Sequence, residues 1–310
     1  MSPDPSRLAV RVRVPAKVNL ELRVGPLRDD GFHSLATVFH AVDLFDDVYV
    51  TPAAHWGCTV RGPYADRVPA GPDNLAVQAA QRLARQVGIE EALQIDIDKR
   101  IPVAGGMAGG SADAAGALVG ADALWILGHE PAQLMQVAAQ VGSDVPFGIA
   151  GGTALGIGRG EQLVPVLAHV DLYWVFALQH EGLSTARVYA ECDRLRAGQV
   201  VHEPQPSQSL MAALRSGEVD AVAAQLQNDL QPAALSLMPR LQQVLDAGLA
   251  AGARGAIVSG SGPTVAFLCA DRRASVDLTR ALNASQVADE IVSAVGPAPG
   301  AHVVTHPHGV

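Results

Sequence analysis

Apolar and polar residues alternate at Leu8, Val10, Val12 and Val14 and again at Val18, Leu20, Leu22 and Val24. This period of two predicts two half-buried strands broken at Pro15-Ala16. Lys17, Asn19, Glu21 and Arg23 fall on the face opposite the second apolar row, so Lys17 and Asn19 can point together into one site. Residues 25–33 form a turn-rich loop, and 35–50, rich in Val, Phe and Tyr, returns as strand. Asp73 is placed to cap a helix on which Leu75, Ala79, Leu83 and Val87 recur every four residues before Gly88 ends it. Leu93 to Asp98 alternates as a strand and leads into a glycine-rich loop and a long helix over about 111–127. Pro131 opens a further helix to Val141, followed by Gly142-Ser143-Asp144-Val145-Pro146.

The composition shifts in the middle of the chain, where Gly148 to Gly160 holds six glycines. A strand at Leu172–Leu178 then starts a second domain, with a boundary near 165–170. Helices at 184–197, 209–216, 218–228 and 238–250 alternate with strands at Gly255–Ser259 and Thr264–Cys269, an α+β pattern without internal repeats.

With 310 residues, 49% hydrophobic and 17% charged, the chain has apolar material for two cores. A net charge of −9 spread along the sequence argues against a nucleic-acid surface and for small-molecule chemistry, so any phosphate site must be local. Cys58, Cys192 and Cys269 lack disulfide or zinc spacing. The start, Met1 to Ser6, is polar, and no run reaches the roughly 18 apolar residues of a membrane span, so a cytoplasmic location is expected. His302, His306 and His308 sit in a Pro/Gly-rich tail expected to fray rather than bind metal.

The loop from Ile101 to Gly116 carries the strongest chemical signal. Four glycines precede Ser111 just where an apolar helix begins. Glycine lets backbone approach a ligand closely, and a helix N-terminus offers unpaired N–H groups at the positive end of its dipole, which suits phosphate. Neither GxxxxGK[ST] nor GxGxxG is present, so the two better-known phosphate motifs are excluded. Ser111 can cap the helix or coordinate a Mg²⁺ between phosphates, and Asp113 can be stabilised by the helix dipole alone. Together with Lys17 and Asp144, the loop supplies what phosphoryl transfer requires: positioned phosphates, neutralised charge and an acceptor for the proton of an attacking alcohol. Taken singly, a strand lysine is commonly solvated and an aspartate before Val-Pro is commonly a turn residue.

Seven stretches carry a further signal: Pro15 to Leu20, Arg28 to Leu35, Asp73-Asn74-Leu75, Pro102 to Ala115, Gly142 to Phe147, Asn228-Asp229-Leu230 and Ser259 to Thr264. In these the chain resembles the GHMP kinases, and within them the branch whose acceptor is a cytidyl-linked methylerythritol of non-mevalonate isoprenoid synthesis. The resemblance implies an α+β, two-domain fold: a ribosomal protein S5 domain 2-like N-terminal domain over 1–168 and an α+β C-terminal domain over 169–310, with the active site in the cleft between them. It implies transfer of the ATP γ-phosphate, with Mg²⁺, to the 2-hydroxyl of that acceptor. Lys17 and Asp144 match the catalytic pair. Pro102, Val103, Ala104, Gly105, Gly106, Met107, Ala108, Gly109, Gly110, Ser111 and Ala112 match the loop around the ATP phosphates, while Asn74 and Lys99 match positions on the ATP side. Asn19 matches a polar contact near the acceptor, and Phe32, His33, Thr185 and Tyr189 match the cytidine pocket. Cytosine between Phe32 and Tyr189, with His33 at its edge, also makes physical sense as a stacked base.

Two departures stand out. Phe32 occupies a position where tyrosine is common, and Met107-Ala108 and Ser111-Ala112 replace Leu-Gly and paired serines. A homoserine- or mevalonate-type acceptor, or a nucleotide sensor without turnover, are the alternatives. The retention of both Lys17 and Asp144 speaks against the sensor.

Overall fold

The structure is a computed structural model that describes residues 9–103 and 105–305. Leu8, the start at Met1 to Ser6, Ala104 in the loop, and His306 and His308 in the tail lie outside the described residues.

The first two predicted strands are one. β1 runs unbroken from Val10 to Leu27 and pairs antiparallel with β2, His33–Ala53. Pro15-Ala16 marks a register shift rather than a break, because a bulge lets proline sit in a strand without a missing ladder bond. The alternation is then continuous: Val12, Val14, Ala16, Val18, Leu20 and Leu22 are all buried. β3 (Gly57–Arg61) follows. Helix α1 spans Leu75–Val87, with Gly88 in left-handed conformation at its end. Its cap is Asn74, not Asp73: a 3₁₀ turn at Gly71–Asp73 moves the start by one residue, and the Asn74 side chain accepts from Ala76 N at 2.9 Å.

β4 (Ala92–Asp98) delivers the chain to the glycine-rich loop and α2, Gly109–Leu124. α2 lies close on the sheet because its contact face is small. A Cβ on Gly116 or Gly120 would come within 2.7 Å of Val48 or 2.5 Å of Val50. Then come α3 (Pro131–Ala138), α4 (Val145–Ala150) and the hairpin β5 (Thr153–Gly158) to β6 (Gln162–Pro165). The first sheet runs β3-β4-β2-β1, and β5 pairs with the other half of β2.

Residue 168 falls between β6 and β7, Leu172–Leu178, which opens an antiparallel second sheet. β7 is apolar on both faces for a reason. Leu172, Trp174 and Phe176 join the core shared with the first sheet, while Val175 and Ala177 face the helices of the second. Helices α5 (Thr185–Leu195), α6 (Gln208–Ser216) and α7 (Val219–Ala223) follow.

The helix expected over 218–228 ends early. Gln227–Asn228 forms β8, parallel to β1 at Glu21 and Leu22. Asn228 draws the chain out of helix: its amide donates to Val258 O and Gly260 O, each at 2.7 Å, and its side-chain oxygen accepts from Leu230 N at 2.8 Å. α8 (Gln231–Leu237) and α9 (Arg240–Ala250) precede β9 (Gly255–Val258) and β10 (Val265–Cys269). α10 (Arg272–Ser285) and β11 (Glu290–Gly296) complete the second sheet in the order β11-β7-β10-β9. β12, His302–Val303, returns to pair with β1, so His302 is held rather than frayed. No helix among the described residues is long and apolar enough to cross a membrane.

Candidate active site

The part of β1 beyond Pro15, where two extra residues of β2 (Asp43 and Leu44) shift the register, sets the first part of the site. There the odd-numbered side chains face away from the core, and Lys17 and Asn19 nonetheless remain only 5% and 2% exposed. They are covered by the rest of the site. Lys17 Nζ donates to Asn19 Oδ1 at 2.7 Å, and Asn19 Nδ2 donates to Thr37 Oγ1 at 2.8 Å. Thr37 donates in turn to Glu21 O at 2.7 Å, so the chain of bonds fixes the asparagine oxygen toward the ammonium. Asp144 Oδ2 lies 3.6 Å from Lys17 Nζ. Asp144 precedes α4, yet its carboxylate makes no capping bond, which leaves it for the cavity.

The glycine-rich loop is the second part. Ala108, in left-handed conformation at φ 58°, starts α2 without a side-chain cap. Ser111 therefore sits inside the first turn and is not the cap. The first N–H groups of a helix have no internal partner, and Gly109, Gly110 and Ser111 present that turn to the cavity. The loop is locked to the segment 259–264. Ser259 Oγ donates to Gly106 O at 3.0 Å, and a Cβ on Gly106 would fall 1.9 Å from Ser259 O, with φ at +73° besides.

Behind the loop lies a buried cluster. Lys99 Nζ donates to Asp46 Oδ2 at 2.6 Å and Asp113 Oδ2 at 2.7 Å, and none of the three side chains is more than 2% exposed. Asp46 also accepts from the backbone N–H of Arg100 at 2.6 Å and Ile101 at 2.8 Å. Burial pushes the Asp113 carboxyl well above the usual range, with Lys99 offsetting part of it. Burial works against the Lys99 ammonium, but Asp113 and Asp46 outweigh it and hold its pKa above the ordinary value. Asp113 is thus a partner of Lys99 rather than a dipole-stabilised residue of the first turn.

The third part is aromatic. A turn closed by Arg28 N donating to Phe32 O at 2.7 Å presents Phe32, whose ring is half exposed. His33 and Tyr189 stack with ring centroids 5.1 Å apart, and His33 Nε2 lies 2.9 Å from Asp193 Oδ1. Thr185 Oγ1 lies 2.9 Å from Ser261 Oγ. Burial pushes the Tyr189 phenol up and nearby Asp144 adds to the shift, so the hydroxyl keeps its proton.

One cavity of about 900 Å³ joins the three parts. Lys17, Asn19, Phe32, His33, Asp144, Thr185 and Tyr189 line it, as do Gly105, Gly106, Ala108, Gly109, Gly110 and Ser111. Asn74, Lys99, Pro102, Val103, Met107 and Ala112 do not. Asn74 is used in capping α1 and donating to Pro69 O, Lys99 in its ion cluster, and Met107 and Ala112 in the core. Arg159, Asp193 and Gly260 to Gly262 line the cavity as well. Of these, only the glycine motif has a signal in the sequence.

The GHMP kinases N terminal domain matches residues 74–154, and the GHMP kinases C terminal domain matches 210–288. The 4-diphosphocytidyl-2-C-methyl-D-erythritol kinase of Mycolicibacterium smegmatis is 53% identical over 96% of this chain and 94% of its own length. The kinase of the same name from Streptomyces coelicolor is 51% identical over 96% of this chain and all of its own. A crystal structure of 4-(cytidine 5'-diphospho)-2C-methyl-D-erythritol kinase, 31% identical, superposes with a TM-score of 0.73 over 92% of this chain and 98% of that one. Homoserine kinase from Cytophaga hutchinsonii reaches the same TM-score at 21% identity, over 98% of this chain and 99% of its own, which is a likeness of fold. The chain belongs to the GHMP kinases and, within them, to the family of 4-diphosphocytidyl-2-C-methyl-D-erythritol kinases.

Proposed function

We propose that this chain transfers the γ-phosphate of ATP to the 2-hydroxyl of 4-(cytidine 5'-diphospho)-2-C-methyl-D-erythritol, giving the 2-phosphate, in non-mevalonate isoprenoid precursor synthesis. The observation that carries this reading is the Lys17–Asp144 pair in one cavity with both the open first turn of α2 and an aromatic pocket. Relatives more than half identical over nearly the whole chain bear the name of that activity.

In the mechanism, the phosphates of ATP meet the free N–H groups at 109–111, where the helix dipole favours negative charge. Asp144 accepts the proton of the acceptor hydroxyl as its oxygen attacks the γ-phosphorus. Lys17, oriented by Asn19, neutralises charge on the oxygens that carry it in the transition state. Phe32 and Tyr189 hold the cytosine ring, with His33 at its edge and Thr185 beside Ser261 toward the ribose end. Residues 1–168 and 169–310 act as the two domains, and the cytoplasm, where ATP is made available, is the expected location.

Mg²⁺ fits this site through few protein ligands. Ser111 faces the cavity beside the α2 turn, and no cluster of three His, Cys, Asp or Glu residues suited to a metal exists among the described residues. That donor set suits an ion bound chiefly by phosphate and water. Ser111 would contribute a hydroxyl, and the ion would neutralise phosphate charge.

The test is ADP release coupled to a spectrophotometric readout. The cytidyl acceptor should support turnover, while methylerythritol phosphate, homoserine and mevalonate should not. Turnover with homoserine or mevalonate comparable to the cytidyl acceptor would overturn the assignment.

A further inference from the structure

The acceptor inferred above brings a diphosphate into the same cavity as the triphosphate of ATP, and the two need separate cationic partners. Among the described residues lining the cavity only two carry a fixed positive charge, Lys17 and Arg159. Lys17 is engaged with Asn19 and Asp144 at the reacting end. Arg159 is engaged with no carboxylate among the described residues. Its guanidinium instead sits over the Phe32 ring, 4.9 Å from the centroid. The neighbouring Glu161 does not neutralise it, because that carboxylate turns back to accept from the Arg159 backbone N–H at 2.6 Å.

The fold explains why this side chain reaches the acceptor end. Arg159 stands at the tip of the β5–β6 hairpin between Gly158 and Gly160, both at positive φ. β5 pairs with β2 in a register that sets Gly158 opposite Leu35, so the tip lies beside the start of β2, where Phe32 and His33 are. A half-buried arginine on an aromatic ring, free of carboxylates, is prepared for a bidentate anion: its plane is already ordered and its outer N–H groups are unspent.

We propose that Arg159 is a specificity-determining residue that pairs with the diphosphate of the acceptor while resting on the Phe32 platform. It rests on the cytidine reading of the pocket. Arg159 thereby makes the enzyme read a nucleoside diphosphate rather than a nucleoside.

The experiment measures inhibition by cytidine and CDP, each against the cytidyl acceptor, for the unmutated enzyme, Arg159→Met and Arg159→Lys. Arg159→Met should weaken CDP by about 10- to 100-fold, the range for losing hydrogen bonds to a charged group, and leave cytidine within about two-fold. Arg159→Lys should recover part of the CDP affinity, since it keeps the charge and loses the fork. The acceptor KM should rise in Arg159→Met with kcat changed far less, and the CDP advantage of the unmutated enzyme should shrink as salt rises. Equal weakening of cytidine and CDP would overturn the proposal, because Arg159 would then only brace Phe32. Unchanged CDP inhibition in Arg159→Met would overturn it too. Uridine and UDP provide the separation from the parent reading: if UDP matches CDP in the unmutated enzyme, the cytosine pocket fails, while the ratio of diphosphate to nucleoside still reports on Arg159.

Discussion

Lys99→Met is expected to lower stability strongly and ATP affinity with it, although Lys99 does not line the cavity. The substitution keeps most of the apolar stem and deletes one charge, leaving Asp46 and Asp113 facing each other with no cation in a region where neither side chain is more than 2% exposed. Removing one partner from a buried ion pair costs roughly 3–5 kcal/mol. At the low end of about 2–4 °C per kcal/mol for larger chains, thermal unfolding should move down by roughly 6–10 °C. The damage should reach the nucleotide because Asp46 also holds the N–H groups of Arg100 and Ile101 at the head of the loop, and Gly109 packs against Lys99. Calorimetric ATP titration well below the transition should show that loss, and Asp113→Asn in the Lys99→Met background should restore part of the stability by removing one orphaned charge. The pH dependence has a defined sign. Without Lys99 the Asp113 carboxyl, already raised by burial, rises further above its unfolded value, so the folded state binds more protons in that window and stability falls as pH rises. The deficit relative to the unmutated protein should therefore be smaller at pH 5 than at pH 8. A Lys99→Met transition within about 2 °C of the unmutated one would show that the cluster does not hold the loop.

Three further outcomes are expected. Asp144→Asn should lower kcat by about two to four orders of magnitude with ATP binding nearly unchanged, and near-normal single-turnover rates would remove Asp144 from the chemistry. Gly109→Val should weaken ATP severely, since even a Cβ there would lie 2.9 Å from Lys99 Nζ and 3.1 Å from Ile101, and overpacking of this kind costs roughly 1–3 kcal/mol; an unchanged titration would make the loop a bland turn. Burial lowers the buried His40 to about 4 from its ordinary 6.5, so the unfolded chain takes a proton that the folded chain refuses, and stability should fall by up to about 3 kcal/mol as pH drops from 6.5 to 4. Denaturant unfolding of His40→Gln should show a shallower acid slope, and a slope equal to the unmutated one would exclude His40 as a source.

The parts of the site legible in the sequence were those in which side-chain chemistry and local geometry coincide. The period of two in β1 put Lys17 and Asn19 on one face, and the run of glycines before an apolar helix marked α2 and its free N–H groups. The same reasoning failed where a local signal had a tertiary owner. Pro15 reads as a strand break, yet a bulge keeps β1 whole because β2 continues to pair on both sides of it. Asn228 reads as helix, yet its amide answers carbonyls 30 and 32 residues away. α10 went unread although Asp271 caps it and Ser275, Leu278 and Leu282 lie at helical spacing on its buried face.

Lys99 and Arg159 show the limit from two sides. Lys99 is followed by Arg100 and Arg159 stands between two glycines, and neither local sequence says which cation is sealed between two carboxylates and which rests on an aromatic ring. What separates them is strand pairing. β4 pairs with β2 and leads Lys99 between Asp46 of β2 and Asp113 of α2, in a buried spot where only counter-charges could keep an ammonium. β5 ends in a two-glycine tip whose register with β2 leaves Arg159 over the mouth of a cavity, where a charge can stay without a carboxylate and await an anion. The sign and number of charges in a binding site are thus properties of sheet register as much as of composition. That is why a chain with net charge −9 can still set two cations, Lys17 and Arg159, in the lining of one pocket.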